Sequence, residues 1–362
     1  MPFPLEDIDA LLVALVDTES VSGGEAALAD DVWSALAAAP HLTAGRHGNT
    51  VWARTELGLT SRVLIAGHLD TVPVADNLPS RRFVVPDGTP WLWGRGTVDM
   101  KGGIAVMLHL AVSLRAPSRD VTWVFYDCEE VESARNGLGR LAAVHPELLA
   151  ADLAVLMEPT DGLVEGGCQG SLRFTVTVRG VAAHSARGWL GSNAIQAAGP
   201  VLSRLTESRP MFGEVEVDGL TYREGLNATM IDGGVGGNVI PDRCTVQINY
   251  RFAPSVSEAQ AEARMRELFD GLGEFAVLDS SPGARPGLGH PAAQAFVEAV
   301  GGVPGPKYGW TDVARFSALG VPALNYGPGD PSLAHRTDEA VSLRQVRECA
   351  DALRRWLGGG GR

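Results

Sequence analysis

The chain has 362 residues, of which 45% are hydrophobic and 20% are charged, and it carries a formal net charge of −13. This length predicts two domains, since a single core rarely grows beyond about 250–300 residues. The acidic balance argues against binding to nucleic acid, which needs basic patches, although a local pocket can still attract an anionic substrate.

The first part of the chain alternates predicted helices and strands. Helices are predicted where apolar residues recur at helical spacing, and strands where short apolar or β-branched runs occur. The helices cover residues 5–15, 27–37, 103–114 and 136–144, and the strands cover residues 62–66, 121–128 and 153–157. This alternation is typical of an α/β domain with a mainly parallel sheet that is covered by helices.

The pattern changes at about residue 170. Leu172–Val178 and Cys244–Phe252 alternate apolar and polar residues, as half-exposed antiparallel strands do, and we expect them to leave an edge open for pairing with a second copy. Further helices are predicted at residues 193–207 and 257–272, and with the strands they indicate an inserted α+β domain over residues 170–285. A Gly- and Pro-rich stretch at 281–289 then leads to a helix at 292–300 and a strand at 323–326. The first domain therefore comprises residues 1–169 and 286–362.

The sequence also predicts a cytoplasmic protein that does not cross a membrane. Its longest apolar runs, such as residues 63–66, are strand-sized and far below the roughly 18–20 residues of a membrane span. The acidic segment 1–9 lacks the basic start and apolar stretch of a signal peptide. The four cysteines are far apart and form no CxxC pair, which favours buried thiols in a reducing compartment over disulfides or a cysteine-based zinc site.

Three of the predicted strands end in side chains that can bind metals. The first strand leads into His68 and Asp70, the second into Glu129 and Glu130, and the third into Glu158. In open α/β sheets, ligands bind beyond the carboxyl ends of the strands. We therefore expect these side chains to converge although they are distant in sequence.

Two further residues of this kind lie on loops. Asp99 opens a predicted helix, and His335 follows a late strand and a Gly- and Pro-rich loop. Imidazole and carboxylate ligands together suit zinc, with cobalt or manganese as substitutes. Each residue also has a structural alternative, since a histidine can be a packing residue, paired glutamates can be a solvated edge, and Asp99 can cap a helix. Their expected convergence on one sheet edge favours the metal site.

The sequence resembles the di-zinc aminoacylase and carboxypeptidase superfamily over nearly the whole chain. The segments that carry the resemblance are AGHLDTVP at 66–73, GTVDMKGG at 96–103, YDCEE at 126–130, EPT at 158–160, RGVAAHS at 179–185, GNVIPD at 237–242 and GPGD at 327–330. Within the superfamily, the chain is similar to the succinyl-diaminopimelate desuccinylases of actinobacteria. The resemblance implies a di-zinc peptidase-like catalytic domain and an inserted, ferredoxin-like domain for dimerisation and active-site closure.

The resemblance also implies two Zn²⁺ ions per subunit, with Co²⁺ as a substitute. Asp99 would bridge the two ions. His68 and Glu158 would complete one metal site, and Glu130 and His335 would complete the other.

Catalytic roles follow from the same resemblance. Glu129 would be the general base that takes a proton from a zinc-held water and returns it to the leaving amine. Asp70 would accept a hydrogen bond from the second nitrogen of His68 and fix its orientation. His184 would reach in from the partner subunit of a homodimer and stabilise the oxyanion, with a surface histidine as the structural alternative.

The implied substrate is a small, acidic N-acyl amino acid. Asn238 and Arg251 match substrate-binding positions of the superfamily, and Thr311 is a candidate donor in the same pocket. The implied reaction removes the succinyl group from N-succinyl-L,L-2,6-diaminopimelate, giving succinate and L,L-diaminopimelate for lysine and cell-wall precursor synthesis.

One departure from the pattern concerns the acyl group. Where relatives carry an arginine before a Gly-Ser pair, this chain has Gln169, and Arg173 or Arg187 are candidates to replace the missing cation. A related deacylase such as acetylornithine deacetylase, or a dipeptidase or carboxypeptidase, is therefore the alternative within the superfamily. A non-catalytic binding protein is the alternative from another class, and such a protein would be expected to lack Glu129 or one of the ligands.

Overall fold

The computed structural model of the chain describes residues 3–359, so residues 1–2 and 360–362 of the predicted domains lie outside the described residues. The chain forms two compact units. The first runs to Gly166 and takes up Gly287–Gly305 and the segment from Thr311 onward, and the second comprises Gly167–Pro286 and Pro306–Trp310. The catalytic and dimerising roles that the sequence suggests for the two domains remain predictions.

Helices and strands alternate along most of the chain. The α-helices within residues 3–359 are α1 (Ile8–Asp17), α2 (Ala26–Ala37), α3 (Gly102–Ser113), α4 (Gly137–Val144), α5 (Ala194–Ala197), α6 (Gly199–Glu207), α7 (Glu258–Leu268), α8 (Pro291–Val300), α9 (Val313–Ala318) and α10 (Leu343–Leu357). Short 3₁₀ segments occur at Ser133–Arg135, Pro146–Leu148, Ser185–Leu190, Arg209–Met211 and Pro331–Leu333, and a π-helical turn at Thr97–Lys101.

The strands in the same part of the chain are β1 (Thr43–His47), β2 (Thr50–Arg54), β3 (Arg62–His68), β4 (Arg81–Val84), β5 (Pro90–Trp93), β6 (Asp120–Tyr126), β7 (Leu153–Leu156), β8 (Glu165–Gly166), β9 (Gly170–Arg179), β10 (Ala183–His184), β11 (Glu214–Val217), β12 (Leu220–Arg223), β13 (Gly225–Gly233), β14 (Val239–Ile240), β15 (Arg243–Phe252), β16 (Glu274–Ser281), β17 (Gly305–Pro306), β18 (Ala323–Asn325) and β19 (Ala340–Ser342).

The large sheet is parallel at its centre. Its strand order is β1-β2-β6-β3-β7-β18-β8-β17. Strand β3 pairs in parallel with β6 and β7, and β18 pairs in parallel with β7. These are the strands that the sequence predicted, and the α/β class with a parallel centre is confirmed. Antiparallel neighbours, β2 beside β6 and β8 beside β18, make the whole sheet mixed.

Helices on this sheet bury it and hold its strands in place. Helix α3 (Gly102–Ser113) is apolar on nearly all sides and packs against α1 and α10 as well as β3, which explains why nine of its residues are buried. Helix α10 is amphipathic, since its buried residues recur every three or four positions from Leu343 to Leu357. None of the helices within residues 3–359 has the length and apolar character needed to cross a membrane.

The second unit contains a four-stranded antiparallel sheet with the order β13-β15-β9-β16. Numbered along the chain, the four strands lie in the order 2-3-1-4. Helices α5 and α7 pack on this sheet, and the β-α-β-β-α-β sequence is that of the ferredoxin-like motif.

One expectation about this sheet was wrong. Strands β9 and β15, predicted to leave an edge open, are its two central strands, because each pairs with a strand on both sides. The edges are formed by β13 and β16 instead. Strand β13 was not predicted from the sequence. Seven of its nine residues are exposed, so it shows no alternation of buried apolar positions.

Candidate metal centre

The carboxyl ends of three neighbouring parallel strands lie at the same edge of the large sheet. His68, the last residue of β3, is in register with Tyr126, the last residue of β6, and Ala66 is in register with Leu156 at the end of β7. The chain then continues from β6 into Glu129 and Glu130, and from β7 into Glu158.

Asp99 lies between two histidines. His68 Nε2 is 3.0 Å from one carboxylate oxygen of Asp99, and His335 Nε2 is 3.3 Å from the other. His335 Nε2 also lies 2.8 Å from Glu130 Oε1. A carboxylate with one imidazole at each oxygen is suitably placed to bridge two cations.

The candidate ligand atoms form two groups that share Asp99. Ligand atoms of His68, Asp99 and Glu158 lie within 4.8 Å of one another, and so do those of Asp99, Glu130 and His335. All five residues that were predicted as ligands are thus brought together in the first unit.

The donor set fits divalent metal ions. In a tetrahedral zinc site with bonds of about 2.0–2.1 Å, neighbouring ligand atoms are about 3.3 Å apart, close to the spacing around Asp99. The site also collects more carboxylates than imidazoles, and this excess of negative charge is compensated when cations bind. Imidazole and carboxylate together suit zinc and its usual substitutes.

Asp70 links the first histidine to the two glutamates. His68 Nδ1 lies 3.0 Å from the backbone oxygen of Asp70 and 3.5 Å from its carboxylate, so the shorter of the two contacts is to the main chain. The carboxylate of Asp70 accepts the backbone N–H groups of Glu129 at 2.9 Å and Glu130 at 3.1 Å, and the hydroxyl of Ser22 at 2.7 Å. Asp70 therefore positions His68 mainly through its backbone oxygen, and it positions the turn that carries both glutamates through its buried carboxylate.

Glu129 is half-buried beside the ligand groups. One of its carboxylate oxygens lies within 4.8 Å of ligand atoms of His68 and Glu130. Burial raises the pKa of Glu129 well above its ordinary value, and the carboxylates of Glu130 and Glu158 add to this shift, while His68 opposes it. A carboxylate with a raised pKa is a better proton acceptor, which suits a general base.

The pKa values of Asp99 and His335 shift in directions that follow from the contacts of these two side chains. Burial would raise the pKa of Asp99, but its contacts with His335 and His68 outweigh burial and lower the pKa instead. Hydrogen bonding to Asp99 and Glu130 raises the pKa of His335 to about 10. The neighbouring carboxylates thus favour positive charge at this position.

Behind the Glu129 turn lies a cluster that the sequence did not single out. Glu25, Asp127 and Cys128 are buried with their side-chain ligand atoms close together. Glu25 accepts the backbone N–H groups of Gly23 and Cys128, and Asp127 accepts from Thr50. Cys128 adopts a left-handed backbone with a φ of +57°, so these hydrogen bonds hold an unfavourable turn in place.

Two more unpredicted residues lie behind Asp99. The buried Glu339 accepts the backbone N–H groups of Val98 and Asp99 and forms an ion pair with the buried Arg95. In the sequence, Asp338-Glu339 looks like an ordinary acidic pair and gives no signal of this role.

The remaining predicted residues do not all lie in the first unit. Thr311 does, and its hydroxyl is 2.9 Å from Asn325 Oδ1. The other three belong to the second unit and are exposed: His184, Asn238 and Arg251. His184 pairs with Val239 at the end of the short β10–β14 pairing, and Asn238 lies just outside it, where its carbonyl accepts the N–H of Ser185.

Gln169, the departure from the superfamily pattern, is buried in the second unit. Its side-chain amide donates to the carbonyl of Arg223 at 2.7 Å. Arg173 lies 3.4 Å from Asp279, with which it forms an ion pair. Gln169 is therefore engaged with the main chain of its own unit.

Comparisons with a family profile and with known proteins agree on one family. The profile of the Peptidase family M20/M25/M40 matches residues 64–358. The chain is 48% identical over 364 residues to succinyl-diaminopimelate desuccinylase of Corynebacterium glutamicum, covering 98% of this chain and 96% of that protein. It is 55% identical over 351 residues to a Mycobacterium tuberculosis protein that carries the same name provisionally, covering 96% of this chain and 97% of that protein.

Solved structures show the same fold at low identity. An M20 family metallo-carboxypeptidase from Sulfolobus solfataricus matches with a TM-score of 0.78 and 17% identity, covering 97% of this chain and 98% of that one. A tripeptidase from Staphylococcus aureus matches with a TM-score of 0.77 and 18% identity, covering 99% of each chain.

Proposed function

This chain belongs to the Peptidase family M20/M25/M40, and from this premise we propose that it is a metal-dependent amidohydrolase that removes the succinyl group from N-succinyl-L,L-2,6-diaminopimelate. The products are succinate and L,L-diaminopimelate, a precursor of lysine and of the cell wall. Identity of 48–55% over nearly the full length to proteins named for this reaction supports the substrate.

One observation carries the hydrolytic activity. Two groups of ligand-type atoms share the carboxylate of Asp99, and Glu129 lies beside them. We propose that His68, Asp99 and Glu158 hold one zinc ion and that Asp99, Glu130 and His335 hold the other, with cobalt as a substitute. When bound, such ions lower the pKa of water and polarise an amide carbonyl.

In this mechanism, Glu129 transfers the proton and Asp70 orients the site. Glu129 takes the proton of the attacking water and delivers it to the nitrogen of the leaving diaminopimelate, so that the amine departs as a neutral group. Asp70 keeps His68 and the Glu129 turn in fixed positions through the hydrogen bonds described above.

Three of the four residues proposed to contact the substrate belong to the second unit, and Thr311 belongs to the first. We propose that His184 stabilises the developing oxyanion and that Arg251 and Asn238 bind carboxylate or amide groups of the substrate, with Thr311 as a further donor. The exposure of His184, Asn238 and Arg251 is compatible with this role. Arg251 is the strongest candidate for a carboxylate partner, because a guanidinium binds carboxylates in a bidentate manner.

We also propose a cytoplasmic homodimer. Support for dimerisation comes from β13, which pairs with β15 on one side and has Met230 and Ile231 exposed by 64% and 56%. An exposed, partly apolar edge strand favours pairing with a second copy. All four cysteines are free and buried, which is compatible with a reducing compartment.

The test of the proposed function is a comparison of substrates. Protein loaded with zinc should hydrolyse N-succinyl-L,L-diaminopimelate, and removal of the metal with a chelator should abolish turnover until zinc is restored. N-acetylornithine serves as the comparison substrate, because Gln169 leaves the acyl preference of this chain open. Faster turnover of acetylornithine would replace the desuccinylase by a deacetylase, and full turnover after verified metal removal would refute metal-dependent hydrolysis.

A further inference from the structure

A buried ion pair lies behind the loop that carries Asp99. Arg95 is 3% exposed and Glu339 is 1% exposed, and Arg95 Nη1 donates to Glu339 Oε2 over 2.8 Å. Removing two charges from water is costly, and the cost is offset only where further hydrogen bonds satisfy the remaining atoms. The partners of these remaining atoms therefore show what the pair holds in place.

Glu339 holds the main chain at Asp99. Its Oε1 accepts the backbone N–H groups of Val98 at 2.9 Å and of Asp99 itself at 3.2 Å. Its own carbonyl accepts the N–H of Gly94 at 3.0 Å, which fixes the start of the same loop. The bridging carboxylate of Asp99 thus projects from a backbone that is anchored to Glu339.

Arg95 connects this anchor to the loop of His335. Its Nη1 also donates to the carbonyl of Arg336 at 3.2 Å, and its Nε donates to the carbonyl of Pro73 at 3.1 Å. Arg336 directly follows His335, whose φ of +66° lies in the left-handed region that few side chains adopt. The contact with Arg95 therefore supports a backbone conformation that is unfavourable on its own.

We propose that Arg95 and Glu339 are a positioning pair for the subsite formed by Asp99, Glu130 and His335. The pair sets the distance between Asp99 and His335 by binding the main chain beside each of them. Neither side chain touches a reacting atom in this proposal, which rests on the proposed function of the two ligand groups.

The proposal predicts an unequal effect on the two metal subsites. In Arg95→Lys, an ammonium group replaces the planar guanidinium group. The ammonium cannot make the contacts of the guanidinium with Glu339, Arg336 and Pro73 at the same time. Affinity for the ion at the His335 subsite should fall about 10–100-fold, as is usual when a supporting partner of a ligand is lost. The ion held by His68 and Glu158 should be affected less. Glu339→Gln tests the pair from its other side, because it keeps the shape but removes the charge.

The experiment measures metal binding directly. Wild-type protein and both variants are stripped with a chelator and titrated with Zn²⁺ in a calorimeter, and Co²⁺ absorption spectra report the ligand geometry of each ion. Two ions should bind the wild type, whereas both variants should keep the ion at the subsite of His68 and Glu158 and bind the ion at the His335 subsite at least about tenfold more weakly. Thermal unfolding of the stripped proteins records how much each substitution affects folding alone.

Asp120→Asn is the matched control. Asp120 is a buried carboxylate that likewise accepts two backbone N–H groups, those of Leu57 and Leu59, but it lies at the start of β6, opposite the metal edge. This variant should lose stability and bind both ions normally.

Two outcomes would overturn the proposal. Normal affinity for the ion at the His335 subsite in both Arg95→Lys and Glu339→Gln would overturn it, as would an equal loss of affinity in Asp120→Asn. If Arg95→Lys does not fold, the result for Glu339→Gln decides alone. Failure of the proposed function would appear differently, as a wild-type protein that binds no pair of ions or does not hydrolyse the succinyl substrate.

Discussion

Glu129 and Glu130 are neighbours in sequence, but their surroundings differ. Glu130 lies 2.8 Å from His335 Nε2, within a ligand group that includes Asp99. Burial raises the pKa of both side chains, but the contact with His335 opposes the rise in Glu130, whereas the pKa of Glu129 is raised well above its ordinary value. These differences support the division of the pair into a metal ligand and a base.

The first prediction tests this division by removing the base. Glu129→Gln should retain the fold and the bound metal but lose turnover about 10²–10⁴-fold, because an amide cannot accept the proton. Steady-state kinetics and metal analysis of the same sample measure both properties. Glu130→Gln is the comparison, since it should lose metal at the His335 subsite. A Glu129→Gln enzyme with normal turnover would show that the two roles are exchanged or that the mechanism is different.

The second prediction concerns the shared ligand. Asp99→Ala should weaken binding of both ions, because its carboxylate belongs to both ligand groups. Glu158→Ala and His335→Ala should each weaken the binding of mainly one ion. Metal titration of the stripped proteins distinguishes the three patterns. If Asp99→Ala released only one ion, the bridging role would have to be abandoned.

Residue types and strand ends could be predicted from the sequence, and supporting contacts could not. His68, Glu129, Glu130 and Glu158 follow apolar strands, so the rule for parallel sheets brings them to one edge. Arg95 and Glu339, in contrast, are separated by 244 positions and meet only in the folded chain. No local pattern distinguishes such a pair from surface charges.

At the scale of elements, α3 and the end of β7 are packed so closely that a side chain cannot fit between them. A Cβ atom added to Gly103, the second residue of α3, would lie 2.3 Å from the carbonyl oxygen of Met157. Glu158 follows Met157 directly, and Asp99 precedes α3 by a short turn. The close approach therefore sets how far apart these two candidate ligands lie.

The third prediction follows from this contact. Gly103→Ala should destabilise the protein by roughly 1–3 kcal/mol, because the helix or the strand must shift to make room. The substitution should also weaken the binding of the ion that we propose Asp99 and Glu158 share. Denaturant unfolding and zinc titration measure the two effects. Gly199→Ala, in the first turn of α6 with open space around it, is the control and should change neither property; equal behaviour of the two variants would refute the packing argument.

Burial determined which strands and helices could be predicted from the sequence. Buried strands such as β3 and β9 show apolar runs or alternation, whereas the exposed β13 shows neither. A single residue, Ala198, separates the end of α5 from the start of α6, although the sequence predicted one helix there. Pro200 explains the break, since it lacks the N–H that a continuous helix needs.

At the scale of the whole molecule, the fourth prediction concerns the edge through which we propose that two copies pair. Ile231→Lys places a charge on the exposed edge strand β13, where pairing would bury it, and should shift the protein toward monomers. Light scattering over a concentration series measures the change. Leu278→Lys, on the opposite edge strand β16 with 54% of Leu278 exposed, is the matched control. Dissociation by the control alone would assign the interface to the other edge.

The last prediction asks whether one subunit completes the site of the other. His184→Ala and Glu129→Gln should each be nearly inactive, the first for want of an oxyanion donor and the second for want of a base. If His184 acts in the partner's site, a mixed dimer has one site with both substitutions and one with neither. Mixing the two inactive proteins under conditions that allow exchange should then restore activity, to about a quarter of the wild-type level when equal amounts mix at random. Ile231→Lys introduced into both chains is the control, because monomers cannot exchange subunits and activity should stay low. Absence of recovery despite exchange that is verified with differently tagged chains would show that His184 serves its own subunit or has no part in catalysis.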